Sequence, residues 1–288
     1  MNFTSTSGFF PFGADPATHL ARIPYGQVLG FSWEKGGIEG VSLGMRQVPA
    51  CSDARGAIHR LALLALMDHS CSAAVYQALP APQTLATIDL RCEFAAAPSP
   101  AADVRCLART VHLDDRFAIV RAVATCVETG AELAFASSAY ALGAHPGMQG
   151  KAPALAPYRP SFDIQKAQGE SFEKLLGLQG EGPVWQLPFK EQLIGSLSLP
   201  SMHGGAIGAA LAFAAIEQAR SSVDADTAWL PLTITLQYLR AVESRLTRIE
   251  TTVRKRGRRS CVISSSASQS AGKKAAYAEC LLVHYATG

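Results

Sequence analysis

The chain has 288 residues, of which 48% are apolar, and its formal net charge is +3 at neutral pH. This length suits two compact domains with adequate cores, and so mild a charge gives no reason to expect a nucleic-acid partner. The seven cysteines are odd in number, form no Cys-X-X-Cys pair and fall mostly in apolar segments. We therefore interpret them as reduced core residues of a cytoplasmic protein.

The N-terminal residues 1–22 form an irregular extension to which the sequence assigns no function. The stretch from Met1 to Phe12 lacks the basic region and the long apolar run of a signal peptide. The later apolar run from Leu61 to Leu79 is interrupted by polar residues such as Asp68. This run favours a buried helix over a membrane span, and we expect no membrane association.

The main feature of the sequence is an internal repeat. His59 opens one long apolar segment, and His203-Gly204-Gly205 opens another. A segment with period-2 alternation follows each of them, at 87–94 and at 232–238, as is typical of a strand with one buried face. These elements and the strands after them recur in the same order at an offset of roughly 145 residues, which indicates duplicated domains.

The repeat divides the chain into domains. The Pro- and Gly-rich stretch 144–160 can be neither a helix nor a central strand, so it is predicted to be a linker. It separates a first domain, 23–143, from a second, 161–288. Each domain contains one helix that is apolar almost all round and must be covered by other elements. We expect an α+β fold, with two curved antiparallel sheets that each wrap a central helix.

The start of the second long helix is a candidate binding point. The first N–H groups of a helix have no intrahelical acceptor and carry the positive end of the helix dipole. At Gly204 and Gly205 they could bind an oxyanion or a polarised carbonyl, because glycine leaves the backbone open to a ligand. The alternative is that both glycines only allow tight packing.

Asp68 is the second candidate, because an acid inside an apolar helix is costly to bury unless it is paired or functional. The alternative is a salt-bridged or solvent-facing position. Asp68 lies nine residues after His59, and Ala212 lies nine residues after His203. Since Asp68 is ~12 Å from its own helix start, it must serve another one. This distance predicts two antiparallel helices that bring Asp68 to Gly204.

Three other features have weaker interpretations. Thr87 could face the site, although threonine in strands often reflects only β-propensity. His69 points about 100° away from Asp68 around the helix, and we interpret it as a packing or surface residue. The basic run 254–259, which includes Arg256 and Arg258, is either a solvated turn or a cradle for phosphate groups, with Lys273 and Lys274 expected nearby.

The motifs resemble a known family. The segment Gly56-Ala57-Ile58-His59, with Asp68 and with Thr87-Ile88-Asp89-Leu90, is similar to hotdog-fold acyl-CoA thioesterases of the phenylacetyl-CoA thioesterase type. Met202-His203-Gly204-Gly205 and Leu236-Gln237-Tyr238-Leu239-Arg240 resemble the acyl-CoA thioesterase II-like branch. The resemblance covers most of the chain from about Ile23 onward. It implies a double hotdog whose two units pair through a continuous sheet, with active sites at their junction.

The resemblance also implies roles for residues in the hydrolysis of an acyl-CoA or a related acyl thioester. Gly204 would polarise the thioester carbonyl, Asp68 would be the nucleophile or the general base, and His203 would shape the helix start. From the residues themselves, we expect Gly205 and Thr87 to contact the substrate, Ser198 (or Ser196) to replace the missing amide contact, and Arg256 and Arg258 to bind the coenzyme A phosphates. No metal and no cofactor other than the coenzyme A of the substrate is expected, and two chains could pair as a homodimer.

Departures from the family pattern leave two alternatives. Arg60 and Leu61 replace the glycines at the first helix start, Ala212 replaces the acid of the second half, and Leu197 stands where an amide is usual. The reciprocal site should therefore be inert, and an acyl-CoA-binding protein without catalysis is the main alternative. A hotdog dehydratase or hydratase ranks third, because Asp68 and His69, adjacent on one helix, cannot converge on one substrate carbon.

Overall fold

A computed structural model describes residues 22–37, 39–80, 83–143, 161–196, 201–221, 227–270 and 272–286. Nearly all of the N-terminal extension and the whole of the linker lie outside the described residues. Ser198 lies outside them as well. The proposed domain boundaries therefore stay predictions.

The first half contains two described α-helices and six strands. The short helix α1 (Pro24–Val28) precedes the strands, and the long helix α2 (Arg60–Ala78) lies between β2 and β3. A 3-10 turn at Pro49–Cys51 leads into α2. The strands are β1 (Phe31–Gly37), β2 (Gly40–Met45), β3 (Leu85–Phe94), β4 (Val104–Leu113), β5 (Phe117–Cys126) and β6 (Glu132–Leu142).

The second half repeats this order with a few short additions. Its helices are α3 (Ile164–Gln168), α4 (Phe172–Leu176) and α5 (Gly204–Arg220), and a 3-10 turn covers Glu191–Leu193. Its strands are β7 (Gln179–Glu181), β8 (Val184–Leu187), β9 (Ile194–Ser196), β10 (Ser201–Met202), β11 (Thr227–Tyr238), β12 (Thr247–Arg256), β13 (Ser260–Ser270) and β14 (Lys273–Ala286).

Twelve of the strands form one antiparallel sheet in the order β1-β2-β4-β5-β6-β3-β11-β14-β13-β12-β8-β7. The second six strands repeat the first six in reverse, as a pseudo-twofold axis between β3 and β11 requires. These two strands pair directly, with Leu90 opposite Leu236. The two curved sheets expected for the two halves are therefore one sheet, with the continuous pairing that the resemblance implies. Each half pairs its inner edge strand with the other half and so satisfies backbone groups that an edge leaves open.

A shared β-bulge shows how closely the halves correspond. The register of β3 against β6 skips Ile88, and the register of β11 against β14 skips Leu232. These residues are 144 positions apart, the same offset that separates His59 from His203. A position in β3 or α2 therefore has its counterpart in β11 or α5 at a number higher by 144.

The long helices lie side by side on one face of the sheet and share a continuous core. Each begins with a histidine N-cap in extended backbone conformation, His59 for α2 and His203 for α5. Asp68, in the middle of α2, lies beside Gly204 at the start of α5. Burial lowers the pKa of His59 at the start of α2, and the nearby charge of Arg220 at the end of α5 lowers it further. The helices are therefore antiparallel. No helix within the described ranges is long and apolar enough to cross a membrane.

Candidate functional site

The structure places Asp68 against residues of both halves. Its side chain is buried, with 8% of its surface exposed. The Thr87 hydroxyl donates to Oδ1 at 3.1 Å, so β3 of the same half fixes one carboxylate oxygen. The other oxygen, Oδ2, lies 3.6 Å from His203 Nδ1, and it would be 2.7 Å from a Cβ placed on Gly204. We call Asp68, Thr87, His203, Gly204 and Tyr238 the Asp68 site.

Burial governs the ionisation of Asp68. Burial raises the pKa of the carboxyl to about 6. Hydrogen bonding from Thr87 and from the nearby Gly205 amide favours the ionised form and offsets part of this rise. A carboxyl with this pKa is mostly ionised at neutral pH and still accepts a proton readily. It therefore suits a general base better than an ordinary aspartate does.

Gly204 is the first residue of α5, and its N–H has no acceptor within the described part of the chain. The Tyr238 hydroxyl, at the end of β11, donates to the Gly204 carbonyl oxygen at 2.8 Å and so fixes this peptide from the other side. A side chain at Gly204 would meet both Asp68 and Tyr238. The absence of a Cβ thus lets the Asp68 carboxylate and the Tyr238 hydroxyl approach the Gly204 backbone closely.

Gly205 has a different environment from Gly204. Its N–H donates to His203 Nδ1 at 3.0 Å, and a Cβ there would lie 2.3 Å from the Ala65 Cα of the neighbouring helix. Protein atoms therefore accept from the Gly205 N–H and fill the space where a side chain would lie. Gly205 allows α2 and α5 to approach closely, so the packing alternative holds for this glycine.

His203 accepts a hydrogen bond from the first turn of α5, and His69 contacts the other side of the His203 ring. Burial lowers the pKa of His203 to about 4, so the ring is neutral at neutral pH and its approach to Asp68 is not an ion pair. On the far side of the ring, Nε2 lies 3.3 Å from His69 Nδ1, and the two rings stack with centroids 5.6 Å apart. His69 is buried, so its interpretation as a surface residue is wrong, although its packing contact is real.

The counterpart positions form a second set, which we call the Arg60 site. His59 Nδ1 accepts from the Leu61 N–H at 3.1 Å, as His203 does from Gly205. Arg60 replaces Gly204, and its guanidinium donates to the Pro231 carbonyl at 3.2 Å. Pro231 stands where Thr87 stands in the other half, and Ala212 stands where Asp68 does. The Arg60 site has the helix start but neither the acid nor the glycine.

The structure does not bring the basic turn to the Asp68 site. Arg256 and Arg258 are exposed at the β12–β13 turn, where Ser260 pairs with Val283 and Val283 with Leu230. That row crosses β11 eight residues from Tyr238, or roughly 26 Å along the strand. The turn lies at the level of the Arg60 site. Lys273 and Lys274 lie at the opposite end of β13, so the expectation that they lie near the turn is wrong.

Sequence reasoning missed two contributors to the Asp68 site. His69 is interpreted there as a packing or surface residue, and Tyr238 is named only as part of the family motif. The signal that could have found them is the repeat itself, because the counterparts of His69 and Tyr238 are Phe213 and Phe94. Both polar groups belong to the half-site that also has the acid and the glycine. Among the described residues, no group of three or more His, Cys, Asp or Glu side chains could hold a metal ion.

Comparison with protein families gives a match in each half. Residues 56–134 match the model of the thioesterase superfamily. Residues 197–287 match the model of the acyl-CoA thioesterase N-terminal domain. The first match includes Asp68 and Thr87, and the second includes His203, Gly204 and Tyr238. No curated protein matches the chain.

Solved structures agree on the fold. The acyl-CoA thioesterase II of Mycobacterium marinum has a TM-score of 0.57 and 14% sequence identity, and the alignment covers 91% of this chain and 97% of that one. The 12:0-ACP thioesterase of Umbellularia californica has a TM-score of 0.59 and 10% identity, with 85% and 94% covered. Both align over nearly their whole length, so the chain has the hotdog thioesterase fold across both halves.

Proposed function

The chain belongs to the thioesterase superfamily through both of its halves and is a thioester hydrolase; from this premise we propose that it hydrolyses acyl-CoA at one composite site. The site combines Asp68 of the first half with the Gly204 N–H of the second. The observation that carries the proposal is the approach of Asp68 Oδ2 to Gly204, where a Cβ would be only 2.7 Å away. Neither half alone contains both groups.

The chemistry follows from the orientation of these groups. The thioester carbonyl oxygen accepts a hydrogen bond from the Gly204 N–H, at the positive end of the α5 dipole, where charge develops during addition. Thr87 donates to Oδ1 of Asp68, so we assign the chemistry to Oδ2, the oxygen beside Gly204. As general base, Oδ2 takes a proton from water, and the water oxygen bonds to the carbonyl carbon. Collapse of the intermediate breaks the C–S bond, and the thiolate of coenzyme A leaves with the proton from Asp68.

A direct attack by Oδ2 on the carbonyl carbon requires the same positions of acid and amide. That route makes an acyl–Asp68 anhydride, which water then cleaves. A single turnover in ¹⁸O-labelled water tests for the anhydride, because attack of water at the Asp68 carboxyl carbon puts ¹⁸O into Asp68 and leaves one unlabelled Asp68 oxygen in the product acid. Label in Asp68 would therefore show the anhydride route, whereas the general-base route places the label in the product alone, with one ¹⁸O per acid molecule.

The test is release of free thiol from short-chain, long-chain and aromatic acyl-CoAs, monitored with a thiol reagent. We expect the wild-type chain to turn over at least one class and Asp68→Asn to lose at least about 1000-fold in kcat. Asp53→Asn is the matched control, because Asp53 makes hydrogen bonds to Arg55 and Ala57 within the loop before α2. That variant should keep the wild-type rate.

The outcomes separate the proposal from its main alternative. Binding of acyl-CoA by the wild-type chain without thiol release would favour an acyl-CoA-binding protein that has lost catalysis. Full activity of Asp68→Asn would exclude the composite site. The cytoplasmic location, the homodimer and a role for Arg256 and Arg258 in binding coenzyme A stay predictions.

A further inference from the structure

We propose that His69 is a positioning residue that keeps His203 in the tautomer needed to hold the start of α5. The inference rests on the proposed function, because the start of α5 presents the Gly204 N–H to substrate. It adds a second histidine to the site, one that contacts His203. Its effect passes from His69 to His203, then to Gly205, and so to the orientation of the adjacent Gly204 amide.

The hydrogen bond from Gly205 decides which ring nitrogen of His203 carries the proton. The Gly205 N–H points at Nδ1 from 3.0 Å, so Nδ1 must act as an acceptor and carry no proton. A proton on Nδ1 would place two donors face to face. Because a neutral imidazole has one N–H, the proton of His203 is on Nε2.

The Nε2–H group of His203 needs a hydrogen-bond acceptor. His203 is buried, and an N–H buried without a partner would be costly. His69 Nδ1 lies 3.3 Å from Nε2, at hydrogen-bond distance, and the rings are nearly parallel with an interplanar angle of 19°. His69 thus accepts from His203 and stabilises the Nε2–H tautomer.

The Arg60 site shows that a histidine N-cap does not need a second histidine to form. His59 caps α2 with the same geometry, and its Nδ1 accepts from Leu61. Its ring stacks on Phe172 at 4.8 Å, and the counterpart of His69 there is Phe213. The histidine pair therefore accompanies the acid and the glycine, which points to positioning in the reaction and not to folding of the cap.

The experiment combines nitrogen-15 NMR of the histidine rings with kinetics. In the wild-type chain, we expect His203 to show a protonated Nε2 and a bare Nδ1; a His203→Asn sample assigns these signals. Replacing His69 by phenylalanine, the residue found at position 213, removes the acceptor. We expect His69→Phe to lose about tenfold in kcat, to keep KM within twofold and to lose the single-tautomer pattern of His203.

Two further variants separate positioning from packing. In His69→Asn, the side-chain oxygen can replace Nδ1 as acceptor, so at least half of the lost rate should return. Phe213→Leu removes an aromatic ring at the counterpart position and should leave both the His203 spectrum and kcat unchanged.

A proton on His203 Nδ1 in the wild-type chain would overturn the inference even if every variant failed to fold. A His69→Phe enzyme with wild-type kcat would also overturn it. If the wild-type chain released no thiol from any acyl-CoA, the proposed function would fail, and the spectrum of His203 would still decide the tautomer.

Discussion

The Asp68 site and the Arg60 site are two copies of one arrangement, and they differ mainly in their polar groups. Both have a histidine N-cap with a backbone N–H on its Nδ1, at 3.0 Å for His203 and 3.1 Å for His59. The first adds an acid, a glycine and a hydroxyl from β3. The second has Ala212, Arg60 and Pro231 at those positions. The shared features are those that fold a helix start, and the differing ones are those to which we assign the chemistry.

The largest difference should appear when Gly204 and its counterpart are each changed to alanine. In Gly204→Ala the new Cβ would lie 2.7 Å from Asp68 Oδ2, so it displaces the carboxylate and fills the space beside the amide. We expect kcat to fall at least about 100-fold, the scale of losing an oxyanion donor. Arg60→Ala should stay within twofold of wild type. Equal losses in the two variants would mean that both sites work.

The next effect concerns stability, because burial of the ionised Asp68 carboxylate lowers the free energy of unfolding. Burial raises the pKa of Asp68 from 3.8 to about 6, so folding favours the protonated form. The ionised form present above pH 6 destabilises the native state by up to about 3 kcal/mol, since one pKa unit is about 1.4 kcal/mol. We expect Asp68→Asn to be more stable than wild type at pH 8 in denaturant titrations.

The sign of this effect sets its pH window. As the pH falls from about 6 to about 4, the native wild-type chain binds the proton while the unfolded chain does not, and wild type gains stability. The advantage of Asp68→Asn should therefore shrink over that range and vanish below it. An advantage independent of pH would show that ionisation of Asp68 is not its cause.

A third prediction separates the two glycines of the Asp68 site. In Gly205→Ala the new Cβ would lie 2.3 Å from the Ala65 Cα, and a backbone atom cannot move aside as a side chain does. We expect a loss of about 1–3 kcal/mol in the free energy of unfolding. In Gly208→Ala, the control, the close contact of the new Cβ is with the end of the Leu236 side chain, and the Tyr238 hydroxyl lies at an ordinary 3.5 Å, so the variant should lose less stability than Gly205→Ala. Equal stability of the two variants would contradict close helix packing at Gly205.

The smallest effect should come from Tyr238→Phe, which gives the Asp68 site the residue found at position 94. The variant loses the hydrogen bond to the Gly204 carbonyl, and we expect kcat to fall about two- to tenfold. Tyr277→Phe is the matched control, because its hydroxyl donates to Ser264 Oγ at 2.7 Å in another part of the sheet. It should lose similar stability and no activity; a similar fall in kcat would point to a general effect on folding.

The sequence was sufficient for the parts of the structure that depend on local pattern and simple distance. Histidine before an apolar run marked both helix starts, and the ~12 Å between Asp68 and its own helix start required a partner from the other half. The repeat also identified Arg60 and Ala212 as the altered positions. All of these follow from residues that are close in the chain or equivalent in the repeat.

What the sequence could not give depends on register between distant strands. The pairing of Leu90 with Leu236, which joins the halves into one sheet, has no local signal. The distance between the basic turn and the Asp68 site also depends on register, which puts Ser260 in the row of Leu230, far from Tyr238 along β11. The contact between His69 and His203 also required coordinates, since the direction of a helix side chain is known only relative to its own helix.

The central claim is that an acid from one half and an amide from the other act on one carbonyl group. A double-mutant cycle tests it most directly, with kcat measured for wild type, Asp68→Asn, Gly204→Ala and the double variant. If both groups serve one reaction, the double variant should lose no more than about twofold beyond the more impaired single variant. Losses that multiply in the double variant would show that the two groups act independently, and would contradict a composite site.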